Sequence, residues 1–135
     1  MIKALNKNCK TVAFTKIYKD LKEILTDHEL ASLGDAYINF VYSISLSSKR
    51  GKPSGAKVKG SALAEALRKT ELRDYLGARI TRHVQADAAE ALIVYAWLNN
   101  HITLEESVAI LQRAKNTVEG LSQLLTLVKK RVKFA

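Results

Sequence analysis

Residues 81–99 read TRHVQADAAEALIVYAWLN, a stretch rich in alanine, leucine and other good helix formers. Apolar residues recur in it every three or four positions, as they do along one face of an α-helix. This stripe consists of Val84, Ala88, Ala91, Leu92, Tyr95 and Leu98. The pattern predicts a helix over residues 81–99, with Asp87 and Glu90 projecting from it one turn apart.

The same helical period extends over most of the chain, whereas alternating strand-like patterns are rare. Thr103, followed by Glu105 and Glu106, is typical of a helix start with acid in the first turn. The chain is therefore predicted to be an all-α protein with a single domain over residues 1–135. The other predicted helices cover residues 13–26, 28–47, 60–68, 70–76 and 103–115, and a last one runs from 117 into the cationic tail.

The predicted helix over 28–47 is apolar nearly all round. Leu30, Leu33, Tyr37, Phe40, Val41 and Ile44 define one face, yet Ile38, Tyr42 and Leu46 lie off it. A helix of this kind is buried on several sides. We therefore expect it to be central in the domain or to lie at a subunit interface.

Composition limits the classes of protein to which the chain can belong. It has 135 residues, 47% hydrophobic content and a net charge of +9, which indicates a globular domain with a polyanionic partner, nucleic acid being the first candidate. Cys9 is the single cysteine, so neither an intrachain disulfide nor a thiolate zinc cluster can form. No stretch approaches the roughly 20 apolar residues of a membrane span, and no secretory h-region is recognisable, so a cytoplasmic protein is expected.

Three carboxylates stand out because they lie in otherwise apolar helices. Asp35 follows Gly34, which allows close backbone approach, and Asp87 and Glu90 are surrounded by small alanines that let helices pack closely. Each of the three could simply face water. If the helices bring them together, their hard oxygens suit Mg²⁺ or Mn²⁺ better than zinc.

Three segments resemble the ribonuclease III family. Residues 33–36, LGDA, are similar to the core of the family's signature helix, and residues 86–93, ADAAEALI, match its second acidic motif. Between them, residues 58–65, VKGSALAE, resemble the family's basic helix entry. The order and spacing agree over about residues 25–115.

The resemblance implies an all-α endonuclease domain of the ribonuclease III type, dimeric through the signature helix, with one Mg²⁺ or Mn²⁺ site per subunit. Asp35, Asp87 and Glu90 correspond to the family's metal ligands. The implied activity is endonucleolytic hydrolysis of double-stranded or structured RNA in RNA processing, which leaves 5′-phosphate and 3′-hydroxyl ends. The implied duplex surface is a basic valley. Its candidates are Lys49, Arg50, Lys52, Lys57 and Lys59, although these five also fit a solvated loop.

The chain departs from the family pattern at two positions. Where the signature helix has glutamates, this sequence has Ala31 and His28, and Glu29 is about 100° around the helix from the missing carboxylate. No double-stranded RNA-binding domain is recognisable in the 135 residues. The alternative therefore stays open that the chain is a catalytically weak or inactive relative that binds RNA or acts as a dimeric scaffold.

Overall fold

The computed structural model describes residue 14 and residues 16–133, and this part of the chain is helical with no strand. The all-α prediction is thus confirmed. Cys9, and residues 13 and 15 of the first predicted helix, lie outside the described residues. Within these described residues, six α-helices and one short 3₁₀ helix follow one another. They are α1 (Leu21–Leu25), α2 (His28–Arg50), α3 (Gly60–Lys69), the 3₁₀ helix (Leu72–Tyr75), α4 (Arg82–Leu98), α5 (Leu104–Arg113) and α6 (Thr117–Arg131).

Helix α4 occupies the centre of the described bundle, where it packs against α1, α2, α3 and α6. Its alanines and branched side chains from Ala88 to Ala96 are almost all inaccessible to solvent. Helix α2 packs on α4 and α5 but leaves Leu33 and Phe40 exposed, by 37% and 56%. Helix α2 is therefore not central. It is apolar on several sides because, besides its buried face, it carries an exposed apolar face that includes Leu33 and Phe40.

Helix boundaries follow the capping residues. Thr81, Thr103 and Asn116 accept backbone N–H groups at the starts of α4, α5 and α6, and Thr103 forms a capping box with Glu106. The predicted helices over 28–47, 60–68, 81–99 and 103–115 agree with the structure within a few residues at each end.

The first predicted helix, over 13–26, is wrong in its N-terminal half. Asp20 caps α1 by accepting the Glu23 backbone N–H, so the helix begins only at Leu21. The segment before it is held in a non-helical path by Asp27, which pairs with Lys16 (3.1 Å) and accepts a hydrogen bond from the Tyr18 hydroxyl (2.7 Å). Ile17, which was placed on the apolar stripe, is 98% exposed.

The predicted helix start at Thr70 is also wrong. Thr70 ends α3 instead, and its hydroxyl donates to the Leu67 carbonyl at 2.8 Å. Glu71 then takes a left-handed backbone conformation (φ 65°), which a continuing helix does not permit. A single 3₁₀ turn over Leu72–Tyr75 replaces the predicted helix. None of the helices in the described part of the chain is long and apolar enough to cross a membrane.

Candidate metal centre

Asp35, Asp87 and Glu90 line one cleft between α2, α4 and the start of α3. The cleft has a volume of about 420 Å³. The structure therefore brings together the three carboxylates that the sequence singled out, although Asp35 and Asp87 are 52 positions apart in the sequence. The remaining residues that line the cleft are His28, Ala31, Ser32, Lys57, Val58, Gly60, Leu63, His83 and Ala86.

Close packing of α2 on α4 makes this arrangement possible. Gly34 lies directly against the backbone of Glu90, so closely that a side chain at position 34 would overlap the Glu90 carbonyl group. Ala86 and Ala89 keep the facing surface of α4 low. The glycine before Asp35 thus sets the distance between the two helices that carry the acids.

Glu90 is the buried member of the cluster, with only 6% of its surface exposed. Burial raises the pKa of its carboxyl group to about 8, and a hydrogen bond with Asp35 and the negative charges of Asp35 and Asp87 act in the same direction. Lys57 opposes this rise through its positive charge. The positive charge near Glu90 is therefore too small to offset its burial and the neighbouring carboxylates.

Asp35 sits at the open edge of the cleft, with its side chain 49% exposed. Its Oδ1 accepts a hydrogen bond from Asn39 Nδ2 at 3.1 Å, and Lys57 Nζ lies 4.0 Å from its Oδ2. Asn39 also accepts the backbone N–H of Val58 at 2.7 Å. One amide side chain therefore orients Asp35 and fixes the segment that carries Lys57.

Asp87 lies between two histidines that come from the first turns of two different helices. His28 Nδ1, in α2, and His83 Nε2, in α4, are each 3.5 Å from the same oxygen, Asp87 Oδ2. Both imidazoles are largely exposed, by 75% and 84%, whereas the Asp87 side chain is 21% exposed. The Asp87 carboxylate thus has nitrogen atoms on two sides.

A hard divalent cation fits the chemistry of this cleft. Three carboxyl groups supply oxygen ligands, and the raised pKa of Glu90 reflects first its burial and then the neighbouring carboxylates, whose repulsion a cation would relieve. Among residues 14 and 16–133, however, no three His, Cys, Asp or Glu side chains are already placed to hold a metal ion. Asp35 contacts Asn39 as well as Glu90, and Asp87 faces the histidines, so binding of a metal ion would require some of these side chains to rotate.

The two departures from the signature pattern both fall on the cleft. Ala31 is 3% exposed and contributes no ligand atom. His28 lies at the rim beside Asp87. Glu29, by contrast, lines a different hollow, with Tyr18 and Tyr95, so it does not replace the missing carboxylate.

Of the cationic residues at 49–59, Lys57 lines the cleft, and the others lie in the last turn of α2 or in the segment that leads to α3. Lys49 and Arg50 belong to the last turn of α2, which Gly51 ends in a left-handed conformation (φ 73°). Residues 52–59 then run as an extended connector, and all five cations are exposed. The predicted loop is therefore shorter than the sequence indicated, since it begins only after Arg50.

Three polar side chains spaced four residues apart on α2 hold this connector in place. Asn39 binds the backbone N–H of Val58, while the Ser43 and Ser47 hydroxyls each bind both the N–H and the carbonyl of a connector residue. The connector residues bound by the serines are Ala56 and Ser54. The backbone groups of alternate connector residues thus face α2, and the Lys57 side chain reaches to within 4.0 Å of Asp35 on the same helix. Sequence analysis missed this role, although the four-residue spacing was visible.

Comparison with known proteins supports the resemblance. A family model described as Ribonuclease III matches residues 28–132, which include the whole cleft. No match was found among curated proteins. Because the matched region covers most of the chain, this protein belongs to the ribonuclease III family.

Proposed function

We propose that this protein is a metal-dependent endoribonuclease that hydrolyses phosphodiester bonds in double-stranded or structured RNA and leaves 5′-phosphate and 3′-hydroxyl ends. The observation that carries the proposal is the buried Glu90 carboxyl, which meets Asp35 and Asp87 in a cleft lined by one exposed lysine, Lys57. Such a carboxyl is costly to the fold unless a cation neutralises it.

Asp35, Asp87 and Glu90 would hold the cation, Mg²⁺ or Mn²⁺. When bound, the ion would supply Lewis-acid stabilisation of the scissile phosphate and would lower the pKa of a water molecule. Asn39 would keep Asp35 oriented, and Lys57, at the mouth of the cleft, would attract the phosphate backbone. Ala86 and Leu63 exclude water from the inner wall of the cleft.

The proposed substrate contact is the connector surface formed by Lys49, Arg50, Lys52, Lys57 and Lys59. The hydrogen bonds from Asn39, Ser43 and Ser47 fix this backbone before RNA arrives, so little conformational entropy is lost on binding. Phosphate contacts by these cations would favour the regular geometry of a duplex without reading its sequence.

We also propose that the protein is a homodimer. Leu33, Ala36 and Phe40 form an exposed apolar ridge on α2, and Leu33 also lines a neighbouring hollow of about 350 Å³ with Leu30, Tyr95 and Leu98. A ridge beside a hollow on the same face can be self-complementary, as a two-fold interface requires.

Purified protein incubated with duplex RNA and Mg²⁺ or Mn²⁺, followed by denaturing electrophoresis, tests the enzyme proposal. Cleavage is expected, and Asp87→Asn and Glu90→Gln should each abolish it, while Glu65→Gln, an exposed change on α3, should not. The second candidate is a weak or inactive RNA-binding relative, which Ala31 and the absence of a preassembled ligand set favour. Duplex binding without metal-dependent cutting would select it.

Binding to the duplex is measured separately, as affinity against salt concentration with Ca²⁺ or no divalent ion. The logarithm of the affinity should fall linearly with the logarithm of salt, and Lys52→Ala and Lys59→Ala should each reduce that slope by about 0.7–0.9. An affinity that barely changes between low and high salt would rule out the connector as the contact surface.

A further inference from the structure

The imidazole nitrogens beside Asp87 lie farther from its carboxylate than in a normal hydrogen bond and near the separation of neighbouring ligands on one ion, although no complete ligand set is assembled among the described residues. Each lies 3.5 Å from Asp87 Oδ2, whereas N–H···O hydrogen bonds are commonly about 2.9–3.0 Å long. Neighbouring ligand atoms that each lie about 2.0–2.1 Å from one ion are about 3.4 Å apart in a tetrahedral shell and about 2.9 Å apart in an octahedral one. The distance from each imidazole nitrogen to Asp87 Oδ2 is therefore close to the distance between two neighbouring ligand atoms on one ion.

The two histidines are also free to complete such a shell. Their side chains are 75% and 84% exposed, and they extend from the first turns of α2 and α4 over the same cleft that Asp35 and Glu90 line. Rotation of exposed imidazoles costs little, in contrast to movement of the buried Glu90. His28 stands where the family's signature pattern has a glutamate, so nitrogen replaces oxygen at the rim.

Resting on the proposed metal-dependent function, we propose that His28 and His83 are direct nitrogen ligands that share one cation with Asp87, so that this centre prefers first-row transition ions over Mg²⁺. Imidazole suits ions such as Mn²⁺, Co²⁺ and Zn²⁺, while Mg²⁺ strongly favours oxygen. Affinity should therefore rise in the order Mg²⁺, Mn²⁺, Co²⁺.

The arrangement differs from an all-carboxylate centre in what it requires of the fold. His28 and Asp87 belong to different helices, so their shared ion would join the start of α2 to α4 at the rim, while Asp35 and Glu90 complete the inner side. Ala31 leaves room on the inner side because its side chain ends at Cβ. The chain thus compensates for a missing oxygen ligand with nitrogen ligands at a neighbouring point of the cleft.

Direct metal binding without RNA tests this inference. Metal-free protein is titrated calorimetrically with Mg²⁺, Mn²⁺ and Co²⁺, and the Mn²⁺ complex is examined by pulsed electron paramagnetic resonance for coupling to ¹⁴N. We expect Co²⁺ and Mn²⁺ to bind more tightly than Mg²⁺, with clear nitrogen coupling. His28→Gln and His83→Gln should each weaken Mn²⁺ and Co²⁺ by about tenfold or more and reduce the coupling, while changing Mg²⁺ affinity less than about twofold.

Two further variants complete the design. His28→Glu should narrow the ratio of Co²⁺ to Mg²⁺ affinity, because it restores an oxygen ligand, and His101→Gln, beyond the other end of α4, should change neither affinity nor coupling. Circular dichroism checks that each variant is folded. Absence of nitrogen coupling in the parent, or equal weakening of Mg²⁺ and Mn²⁺ by the histidine variants, would overturn the proposal.

Nitrogen coupling and RNA cleavage are separate measurements, so the histidine ligands and the enzyme activity can be disproved independently. Metal binding with nitrogen coupling but without RNA cleavage would support the histidine ligands and disprove the endoribonuclease activity. RNA cleavage that depends on Asp87 and Glu90, without nitrogen coupling, would support the endoribonuclease activity and disprove the histidine ligands.

Discussion

Glu90 shows how a single buried side chain can oppose folding. Its carboxyl is buried beside Asp35 and Asp87, and burial together with these neighbours raises its pKa to about 8. At pH 7.5 the folded protein must therefore either hold a proton there or bury a repelled charge. The unfolded chain has neither cost.

Glu90→Gln should consequently stabilise the protein in the absence of divalent ions. We expect the free energy of unfolding to rise by about 1–3 kcal/mol, because an amide of the same shape removes the buried charge and can hydrogen bond to Asp35. Urea denaturation at pH 7.5 with EDTA measures the change. A loss of stability under these conditions would contradict the picture of an electrostatically strained carboxyl.

Glu65→Gln is the matched control, since Glu65 is exposed on α3 and should change stability by less than about 0.5 kcal/mol. With Mn²⁺ added, the parent should become more stable to unfolding than Glu90→Gln. An ion that binds the folded parent stabilises it in proportion to the logarithm of the ion concentration.

The candidate site was predictable from sequence only in part. Asp87 and Glu90 stand one turn apart on a recognisable helix, and Asp35 interrupts an apolar one, so local pattern was enough to single them out. His83 precedes Asp87 by one turn of α4, so that contact is local, whereas the contact of His28 with Asp87 was not visible because it depends on how the start of α2 lies over the start of α4. Asn39 was missed because its contact with Val58 is set by tertiary packing, although its contact with Asp35, four residues earlier on α2, is local.

Among the helices, the contact between α2 and α4 is set by one missing side chain. Gly34→Ala should destabilise the protein by about 2–4 kcal/mol, because the added Cβ would overlap the Glu90 carbonyl group. The gain in helix propensity from alanine, at most about 1 kcal/mol, is too small to compensate. Thermal and urea denaturation measure the effect. Gly60→Ala, whose Cβ would meet no atom within 4 Å, should be neutral or slightly stabilising.

Helices α5 and α6 are joined by a clamp that should respond to pH. Both Arg131 guanidinium nitrogens lie 3.0 Å from the Glu106 carboxylate, which also accepts the Thr103 backbone N–H. The hydrogen bond from Arg131 holds the pKa of Glu106 below its usual 4.5. A lowered pKa in the folded state gives stability that is present above the unfolded pKa and is lost as pH falls through the folded one.

The parent should therefore be more stable than Glu106→Gln at pH 7, and the difference should disappear on acidification below about pH 4.5, the unfolded value. Because the pair is partly exposed, the difference at neutral pH should be about 1 kcal/mol or less. Urea denaturation of both proteins from pH 3 to 7 checks this. A difference that persists at pH 3 would assign the effect to packing of α5 instead of charge.

The prediction of helices succeeded where capping and periodicity agree and failed where a tertiary contact overrides them. Thr103 starts α5 as its sequence indicates, because the capping box is local. Residues 16–20 carry a helical pattern, yet Asp27 captures Lys16 and Tyr18 and holds them out of a helix. No local signal identified Asp27 as their partner.

Over the whole molecule, charge is divided between an acidic cleft and a basic surround. Residues 28–48 contain two acids and no lysine or arginine, while residues 49–73 contain eight cations against two acids. The net charge of +9 would draw a polyanion to the surface, and the acidic cleft would repel it unless a divalent ion were bound. RNA and metal should therefore bind cooperatively, each favouring the other.

Two copies of the protein are expected to associate through the exposed face of α2. The ridge of Leu33, Ala36 and Phe40 leaves apolar surface exposed that a second copy could bury. Phe40→Glu should raise the dimer dissociation constant at least about thirtyfold, because a central exposed aromatic residue is a typical interface hot spot and a carboxylate there would be desolvated. Sedimentation velocity at micromolar concentration measures this, with Tyr75→Glu, another exposed aromatic, as the control. A monomeric parent would contradict the dimer, and metal binding by that monomer would show that each cleft is complete within one chain.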